Sequence, residues 1–154
     1  MIVVTDLEQL KAYRLEHDPL HSSPRLELIE QFNTGAARKL VDETTDLAGR
    51  FPRATVAPDM MGGMSQGERH NAELEKRKRC TRRLAGEINS LLERPDVERC
   101  FLAASREISN SLMNELNPRL RNKIEITIPA DLTKVKKADL PRHFRAASRT
   151  GALA

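Results

Sequence analysis

The beginning of the chain alternates apolar and polar residues with the two-residue period of β-strands. Runs of this kind cover Leu10 to Glu16 and Leu26 to Phe32, a short apolar run from Ile2 to Val4 precedes them, and turn-forming residues separate the three. Side chains of a strand point alternately to the two faces of a sheet, so each alternating run can place its apolar residues on one face. The pattern predicts three consecutive strands paired as an antiparallel meander.

A much longer segment, from Gln66 or Gly67 to Glu93, has the three- and four-residue spacing of an amphipathic helix. Its inward-facing stripe comprises Leu74, Thr81, Leu84, Ala85, Ile88, Leu91 and Leu92. The sequence Arg94-Pro95-Asp96 ends the helix, because proline restricts the residue before it and cannot continue the helix. We expect this stripe to pack on the sheet, with most basic residues of the first half lying off it.

The rest of the chain predicts a strand, a helix, a strand and a final weak helix. The apolar run from Cys100 to Ala104 is typical of a strand buried on both faces, and Ile124 to Ile128 alternates strictly. Between these strands, Ser105 is expected to cap a helix that continues to Leu116. The weak helix is expected within residues 131–143.

These elements predict an α/β fold with a mixed five-stranded sheet, in which an antiparallel meander is followed by a β-α-β unit. The helices are expected to pack against the sheet, and the β-α-β crossover should be right-handed. We expect a single domain over residues 1–145 and a flexible C-terminal tail over residues 146–154.

Composition narrows the possible functions. With 154 residues, the chain is long enough for one domain with a sizeable core. Its formal net charge of +4 permits a nucleic-acid partner, whereas its low aromatic content of 3% argues against a surface that stacks on bases. No segment is apolar and long enough to cross a bilayer, and no signal peptide precedes the first strand. We therefore expect a cytoplasmic protein without membrane insertion.

The cysteines and histidines do not indicate a cofactor. Cys80 falls in the long predicted helix and Cys100 opens a predicted strand, so both are expected to be reduced structural thiols. No group of cysteine and histidine has the spacing of a zinc site. The sequence therefore predicts neither a metal nor another cofactor.

A segment with little periodicity, residues 33–64, connects the meander to the long helix. Such long connections are often functional or disordered. It contains the acidic residues Asp42, Glu43 and Asp46. These residues either bind a cation or pair with Arg50 and Arg53, and we favour the pairing because convergent partners for a cation are absent from the sequence.

The most distinctive feature is a glycine pair in front of the long helix. Gly62 and Gly63 lack a Cβ, so the backbone there can approach a partner closely. The helix N-terminus offers unpaired N–H groups and a positive dipole end to an anion. The helix then carries the basic residues Arg69, Lys76, Arg77, Lys78, Arg79, Arg82 and Arg83. This arrangement indicates contacts with RNA phosphates, and the alternative is an ordinary solvated helix face.

A second basic run lies near the end of the chain. It comprises Lys134, Lys136, Lys137, Arg142, Arg145 and Arg149. These side chains either hold RNA phosphates by counterion release or form a solvated tail, and the sequence does not decide between the two.

Several segments together resemble the bacterial host-attachment protein family. They are the sequence Asp42-Glu-Thr-Thr-Asp-Leu-Ala-Gly-Arg-Phe-Pro52, the glycine loop with its helix, Phe101-Leu-Ala-Ala104 and Ala130-Asp-Leu-Thr133. The resemblance runs from about residue 2 to residue 144. It implies a protein required for attachment to host cells, which is a phenotype rather than a chemical activity.

The chain is also distantly similar to the middle domain of archaeal and eukaryotic class-one release factors and of the ribosome-rescue factor Pelota. In release factors, a Gly-Gly-Gln loop before a long basic helix promotes peptidyl-tRNA hydrolysis on the ribosome. The corresponding sequence here is Gly62-Gly63-Met64-Ser65-Gln66-Gly67. The similarity implies a release-factor-like or ribonuclease-H-like topology and contact with the ribosome.

Two extra residues separate the glutamine from the glycines, and this departure bears on catalysis. An extended chain advances about 3.3 Å per residue, so the insertion moves the Gln66 amide by several ångströms. Hydrolysis depends on accurate placement of the reacting groups, which leaves Gln66 as a candidate catalytic residue only. A metal-dependent nuclease is excluded, because the first strand has no central acid and Glu125 stands alone on the last strand.

The leading interpretation is a non-catalytic domain whose partner is the ribosome or a structured RNA. Two alternatives stay open. One is peptidyl-tRNA hydrolysis through Gln66, and the other is a protein-interaction module with an indirect role in host attachment. The sequence does not predict the oligomeric state.

Overall fold

In the computed structural model of the chain, which describes residues 1–16, 25–35 and 66–151, helices cover both faces of a mixed sheet. The strands are β1 (Ile2–Thr5), β2 (Gln9–Glu16), β3 (Arg25–Asn33), β4 (Cys100–Ala104) and β5 (Ile124–Pro129). The helices are α1 (Gln66–Glu93), α2 (Arg106–Glu115), α3 (Pro118–Arg121) and α4 (Leu140–Gly151). The expected α/β class, the five-stranded mixed sheet and the long helix are confirmed.

The strand order in the sheet is β3-β2-β1-β4-β5. β1 pairs antiparallel with β2, and β2 pairs antiparallel with β3, which is the expected meander. β1 also pairs parallel with β4, and β4 pairs parallel with β5. The carboxyl ends of β1, β4 and β5 therefore meet at one edge of the sheet, which we call the carboxyl edge. The start of β2 and the end of β3 lie at the same edge.

The helices α1 and α2 cover one face of the sheet and build the larger part of the core. Leu84 and Ile88 of α1 have no exposed surface and belong to the same cluster as Val3, Leu10 and Leu102 of the sheet. The three- and four-residue spacing of the α1 stripe brings these side chains onto one side of the helix. Burial of each such aliphatic side chain contributes about 1.5–3 kcal/mol relative to exposure.

The N-terminus of α2 departs in detail from the expected cap. Ser105 occupies the N-cap position, but its side chain makes no capping hydrogen bond. Its backbone carbonyl instead accepts hydrogen bonds from the N–H groups of Ile108 and Ser109, at 3.1 and 3.0 Å. The helix therefore begins where the sequence predicts, without the side-chain contribution.

The last helix, α4, covers the opposite face and is displaced from its expected position. It begins at Leu140, and it continues to Gly151 through positions that were assigned to the tail. Asp131 Oδ1 accepts hydrogen bonds from the N–H and Oγ1 of Thr133, at 2.9 and 2.6 Å, a local pattern that competes with helix formation. Pro141 then lies in the first helical turn, where a missing N–H is tolerated.

Candidate nucleic-acid interface

The two halves of α1 differ in their surroundings. In the packed half, residues 80–93, the buried side chains are Cys80, Thr81, Leu84, Ala85, Ile88, Leu91 and Leu92. In the exposed half, residues 66–79, none of the side chains that the structure describes is buried. Leu74 belongs to the predicted inward stripe, yet 40% of it is exposed. The exposed half therefore extends past the core as a basic helical segment.

Two of the predicted phosphate contacts form ion pairs with the neighbouring helix α2. Arg77 Nη2 lies 3.1 Å from Glu107 Oε2, and Arg82 Nε lies 3.5 Å from Glu115 Oε1. Each of the four side chains keeps at least 43% of its surface exposed. Exposed ion pairs of this kind contribute about 0.2–1 kcal/mol and are screened by salt. Breaking either ion pair should therefore cost little stability.

The facing sides of α1 and α2 form an open cleft of about 510 Å³. The cleft is lined by Leu74, Arg77, Lys78, Thr81, Arg82, Glu107, Ser111, Asn114 and Glu115. Its cations come from α1 and its carboxylates from α2, so the cleft has mixed polarity. The whole exposed half of α1 carries five cations and three carboxylates, an excess of two positive charges, and Arg77 and Lys78 of the cleft are two of these cations.

The other cations of the exposed half differ in their contacts. Lys78 Nζ lies 2.8 Å from Glu75 Oε1, and the hydrogen bond and charge of Lys78 lower the pKa of this exposed carboxyl. Arg79 is exposed and forms no ion pair with any residue in the described part of the chain. Lys76 is half-buried. Of Lys76, Lys78 and Arg79, Arg79 therefore has the charged group that is most available to a partner.

Arg83, the last predicted phosphate contact, is held by a contact within the protein. Its Nη1 donates a hydrogen bond to the carbonyl oxygen of Thr34 at 2.8 Å. Its guanidinium carbon lies 5.3 Å from the centroid of the Phe32 ring. A planar guanidinium can stack on a ring and donate hydrogen bonds in its own plane. Arg83 thus joins α1 to the end of β3, and its contact with RNA stays a prediction.

Part of the predicted site lies outside the described residues. This applies to Gly62 and Gly63, and to the acidic residues Asp42, Glu43 and Asp46. Gln66 and Arg69 belong to the first turns of α1, but their side chains are also outside the described residues. Gln66 is the first residue of the helix.

A hydrogen-bonded network at the carboxyl edge was missed by sequence reasoning. Asp6 follows β1, and its Oδ1 accepts hydrogen bonds from the N–H groups of Glu8 and Gln9 at 2.8 and 2.7 Å. Its Oδ2 lies 3.2 Å from Thr133 Oγ1, which is 127 positions away along the chain. The short Asp131-x-Thr133 spacing could have indicated a local turn, but no feature of the sequence indicated the contact with Asp6.

Charged groups around this network set the ionisation of Asp131. Burial acts to raise the pKa of Asp131, but the hydrogen bonds from Thr133 outweigh it, together with the charges of Lys134 and Lys11. The pKa of Asp131 therefore lies below its ordinary value. Lys11 Nζ also donates to the carbonyl oxygen of Thr133 at 3.0 Å, which fixes the turn that follows β5.

Other reactive groups do not converge on this surface. Cys80 and Cys100 are buried free thiols, and burial raises the pKa of Cys100 to about 12. Within residues 1–16, 25–35 and 66–151, no group of three or more His, Cys, Asp or Glu side chains is placed to hold a metal ion. In the same ranges, no helix is both long and apolar enough to span a membrane.

The fold and this surface define an α/β domain with a projecting basic helix. Residues 1–144 match the family described as "Protein required for attachment to host cells", and the chain belongs to that family. A search of curated proteins found no match to this chain. The family description names a phenotype, so the chemistry has to be inferred from the surface itself.

Proposed function

We propose that this host-attachment family member is a non-catalytic RNA-binding domain, whose partner is the ribosome or another structured RNA. The exposed half of α1 is the contact surface in this proposal. The observation that carries it is the exposure of Arg77, Lys78 and Arg79 on a helical segment that lies beyond the core, with the exposed Arg82 following just inside the packed half. Phosphate groups bind such side chains by releasing counterions, without requiring base contacts.

The ion pairs of this surface are compatible with the proposal. Glu107 and Glu115 hold two arginines in place while leaving each of them about half exposed or more. Charge-assisted bonds from arginine to phosphate are strong and can be bidentate, so phosphate competes well with an exposed carboxylate. In this proposal, the glutamates orient the arginines before RNA arrives.

The similarity to release-factor middle domains supports the same partner. The long helix begins at Gln66, three positions after Gly63 in the sequence, and carries the basic residues. Peptidyl-tRNA hydrolysis through Gln66 is a separate prediction. Release of a labelled peptidyl group from ribosomes, and its loss in Gln66→Ala, would establish that activity.

The proposal is tested by co-sedimentation with ribosomes and subunits across a salt series. The informative variant is Lys78→Glu with Arg79→Glu, because neither side chain contacts the core. The matched control is Arg99→Glu with Arg119→Glu, which reverses two exposed charges at the opposite edge of the sheet. We expect salt-sensitive co-sedimentation of the wild type and the control, and its loss in the α1 variant. Equal co-sedimentation of both variants would contradict the proposal.

The cleft between α1 and α2 favours a second candidate, a protein-interaction module. Its mixed charges, and the exposed Leu74 beside them, suit a peptide segment that carries both acidic and basic residues. Nuclease treatment separates the two candidates. A partner that remains bound after nuclease digestion, and is lost in Leu74→Asp, would favour the protein-binding candidate over RNA.

A further inference from the structure

A small cavity lies on the α4 face of the sheet, at the edge where β1 and β4 begin, opposite the carboxyl edge. We call it the amino-edge cavity, and its volume is about 150 Å³. The cavity is lined by Ile2, Leu15, Phe101, Pro141, Phe144, Arg145 and Ser148. None of these residues belongs to α1, so the proposed function does not use this cavity.

The strand residues of the cavity share one face of the sheet because of the strand register. Ile2 pairs with Tyr13 of β2 and with Phe101 of β4, and paired residues point to the same face. Leu15 follows Tyr13 by two positions, so its side chain also points to this face. Ile2 is buried, whereas Leu15 lies near the end of β2 and keeps 41% of its surface exposed. The sheet therefore supplies a closed floor at Ile2 and an open side at Leu15.

Helix α4 supplies the opposite wall of the cavity. Four of its residues line the cavity with the spacing i, i+3, i+4 and i+7, which brings them to one side of the helix. They are Pro141, Phe144, Arg145 and Ser148. The ring centroid of the buried Phe144 lies 5.8 Å from that of Phe101, with the ring planes inclined by 47°. This ring pair anchors α4 on the sheet and gives the cavity an aromatic wall.

The polar groups of the cavity favour an anionic ligand. Ser148 Oγ already donates a hydrogen bond to the carbonyl oxygen of Phe144, at 3.1 Å. Arg145 belongs to the second basic run of the sequence, is exposed and forms no ion pair with a residue in the described part of the chain. None of the lining residues within the described ranges is acidic. The planar N–H donors of the Arg145 guanidinium match the geometry of a carboxylate.

The volume and the apolar walls indicate the remainder of the ligand. An apolar cavity of about 150 Å³ accommodates one benzene molecule. Aromatic rings favour inclined contacts with one another, and Phe101 and Phe144 can offer such contacts to a third ring. An unpaired carboxylate is costly to bury, so the charged group of such a ligand has to stay at the exposed guanidinium of Arg145.

We propose that the amino-edge cavity binds a small aromatic carboxylate of about the size of benzoate. The ring lies against Leu15, Phe101 and Phe144, and the carboxylate pairs with Arg145 at the mouth of the cavity. Burial of the ring supplies most of the binding free energy, because an exposed ion pair contributes little by itself. The inference does not rest on the proposed function, and RNA binding and carboxylate binding can fail separately.

The test is an NMR titration of the full chain with sodium benzoate, followed through the backbone amide shifts. Two ligand controls separate the ring from the charge: benzamide has the ring without the charge, and acetate has the charge without the ring. We expect saturable shifts with benzoate at the amides of Ile2, Phe101 and Arg145. Benzoate should bind about threefold to tenfold more tightly than benzamide, and acetate should not bind. Absence of saturable shifts with benzoate, or equal binding of acetate, would overturn the proposal.

Two variants test the placement of the ligand. Arg145→Gln should abolish the preference for benzoate over benzamide, because it removes the charge at the mouth. Its matched control is Arg142→Gln, the same change at an exposed arginine of α4 that does not line the cavity. Leu15→Trp should abolish the binding of both ligands, because the larger side chain fills the cavity from its open side without disturbing the core.

The outcomes with these variants either support the cavity as the site or reject it. Equal effects of Arg145→Gln and Arg142→Gln would reject the pairing with Arg145. Binding of benzoate by Leu15→Trp as tight as by the wild type would reject the location. Shifts of the same amides when the protein alone is concentrated would show that a second copy of the chain occupies the cavity, which would also overturn the proposal.

Discussion

The packed and exposed halves of α1 follow one periodicity but contact different surroundings. Leu84, Ile88 and Leu92 in the packed half have no exposed surface, whereas Leu74 in the exposed half keeps 40% of its surface exposed. A helix propagates at low cost once it has been nucleated, so the packed half can support the exposed half without further core contacts. The difference shows that an amphipathic pattern predicts a helix, while the length of its contact with the core depends on where the sheet ends.

The largest expected difference between the halves is in stability. Ile88→Ala should lower the free energy of unfolding by about 2–5 kcal/mol, because it removes fully buried atoms and leaves a cavity. Leu74→Ala is the matched control in the exposed half, where we expect a loss of less than about 1 kcal/mol. Urea denaturation measures both values. Similar losses for the two variants would mean that the exposed half is packed after all.

Arg83 and Arg79 sharpen the comparison, because they lie on either side of the boundary between the halves. Arg83→Ala should lower the free energy of unfolding by about 1–2 kcal/mol, since it removes the bond to Thr34 and the stacking on Phe32. Arg79→Ala should change it by less than about 0.5 kcal/mol. Thermal denaturation of the two variants tests this order. A larger loss for Arg79→Ala would refute the anchoring role of Arg83.

A smaller effect is expected for the ion pair between Arg77 and Glu107. Arg77→Gln should lower the free energy of unfolding by about 0.2–1 kcal/mol, because both side chains are exposed. The loss should disappear near 1 M salt, where the screening length is only about 3 Å. A double-mutant cycle with Glu107→Gln measures the coupling directly. Coupling that persists at high salt would contradict the description of this pair as a surface contact.

The smallest expected effect is confined to acid pH and concerns Asp131. Its pKa is depressed in the folded protein, so the ionised carboxylate stabilises the fold above its unfolded pKa. That stability is lost as the pH falls through the folded pKa, below about pH 4. Asp131→Asn should therefore make the free energy of unfolding less dependent on pH in this range. The effect should be small because the side chain is exposed. Glu98→Gln, an exposed acid at the opposite edge, is the control, and an equal flattening there would refute the assignment to Asp131.

Most of the strands and α1 could be predicted because their periodicity comes directly from the burial of one or both faces. The position of α4 could be predicted only as a weak helix within residues 131–143. Side-chain bonds between Asp131 and Thr133 hold the beginning of that segment in turns, which depends on contacts the periodicity does not show. The helix begins at Leu140, with Pro141 in its first turn.

The basic residues of the candidate site could also be identified from the sequence, but their partners could not. Glu107 lies 30 positions from Arg77, and Thr34 lies 49 positions from Arg83. Charge counting along the chain treats Arg83 and Arg79 alike. Only the packing of α1 on the end of β3 separates an arginine that anchors the helix from one that remains available to a partner.

The central position of β1 has a consequence for synthesis of the protein in the cell. Ile2 of β1 pairs with Phe101 of β4, which is translated 99 positions later. At a synthesis rate of about 5–20 residues per second, the edge of β1 that pairs with β4 stays unpaired in the nascent chain for about 5–20 seconds. An open strand edge is a template for wrong pairing with other chains. The yield of correctly folded protein should therefore depend on chaperones that shield nascent strands, more than the modest size of the fold would suggest.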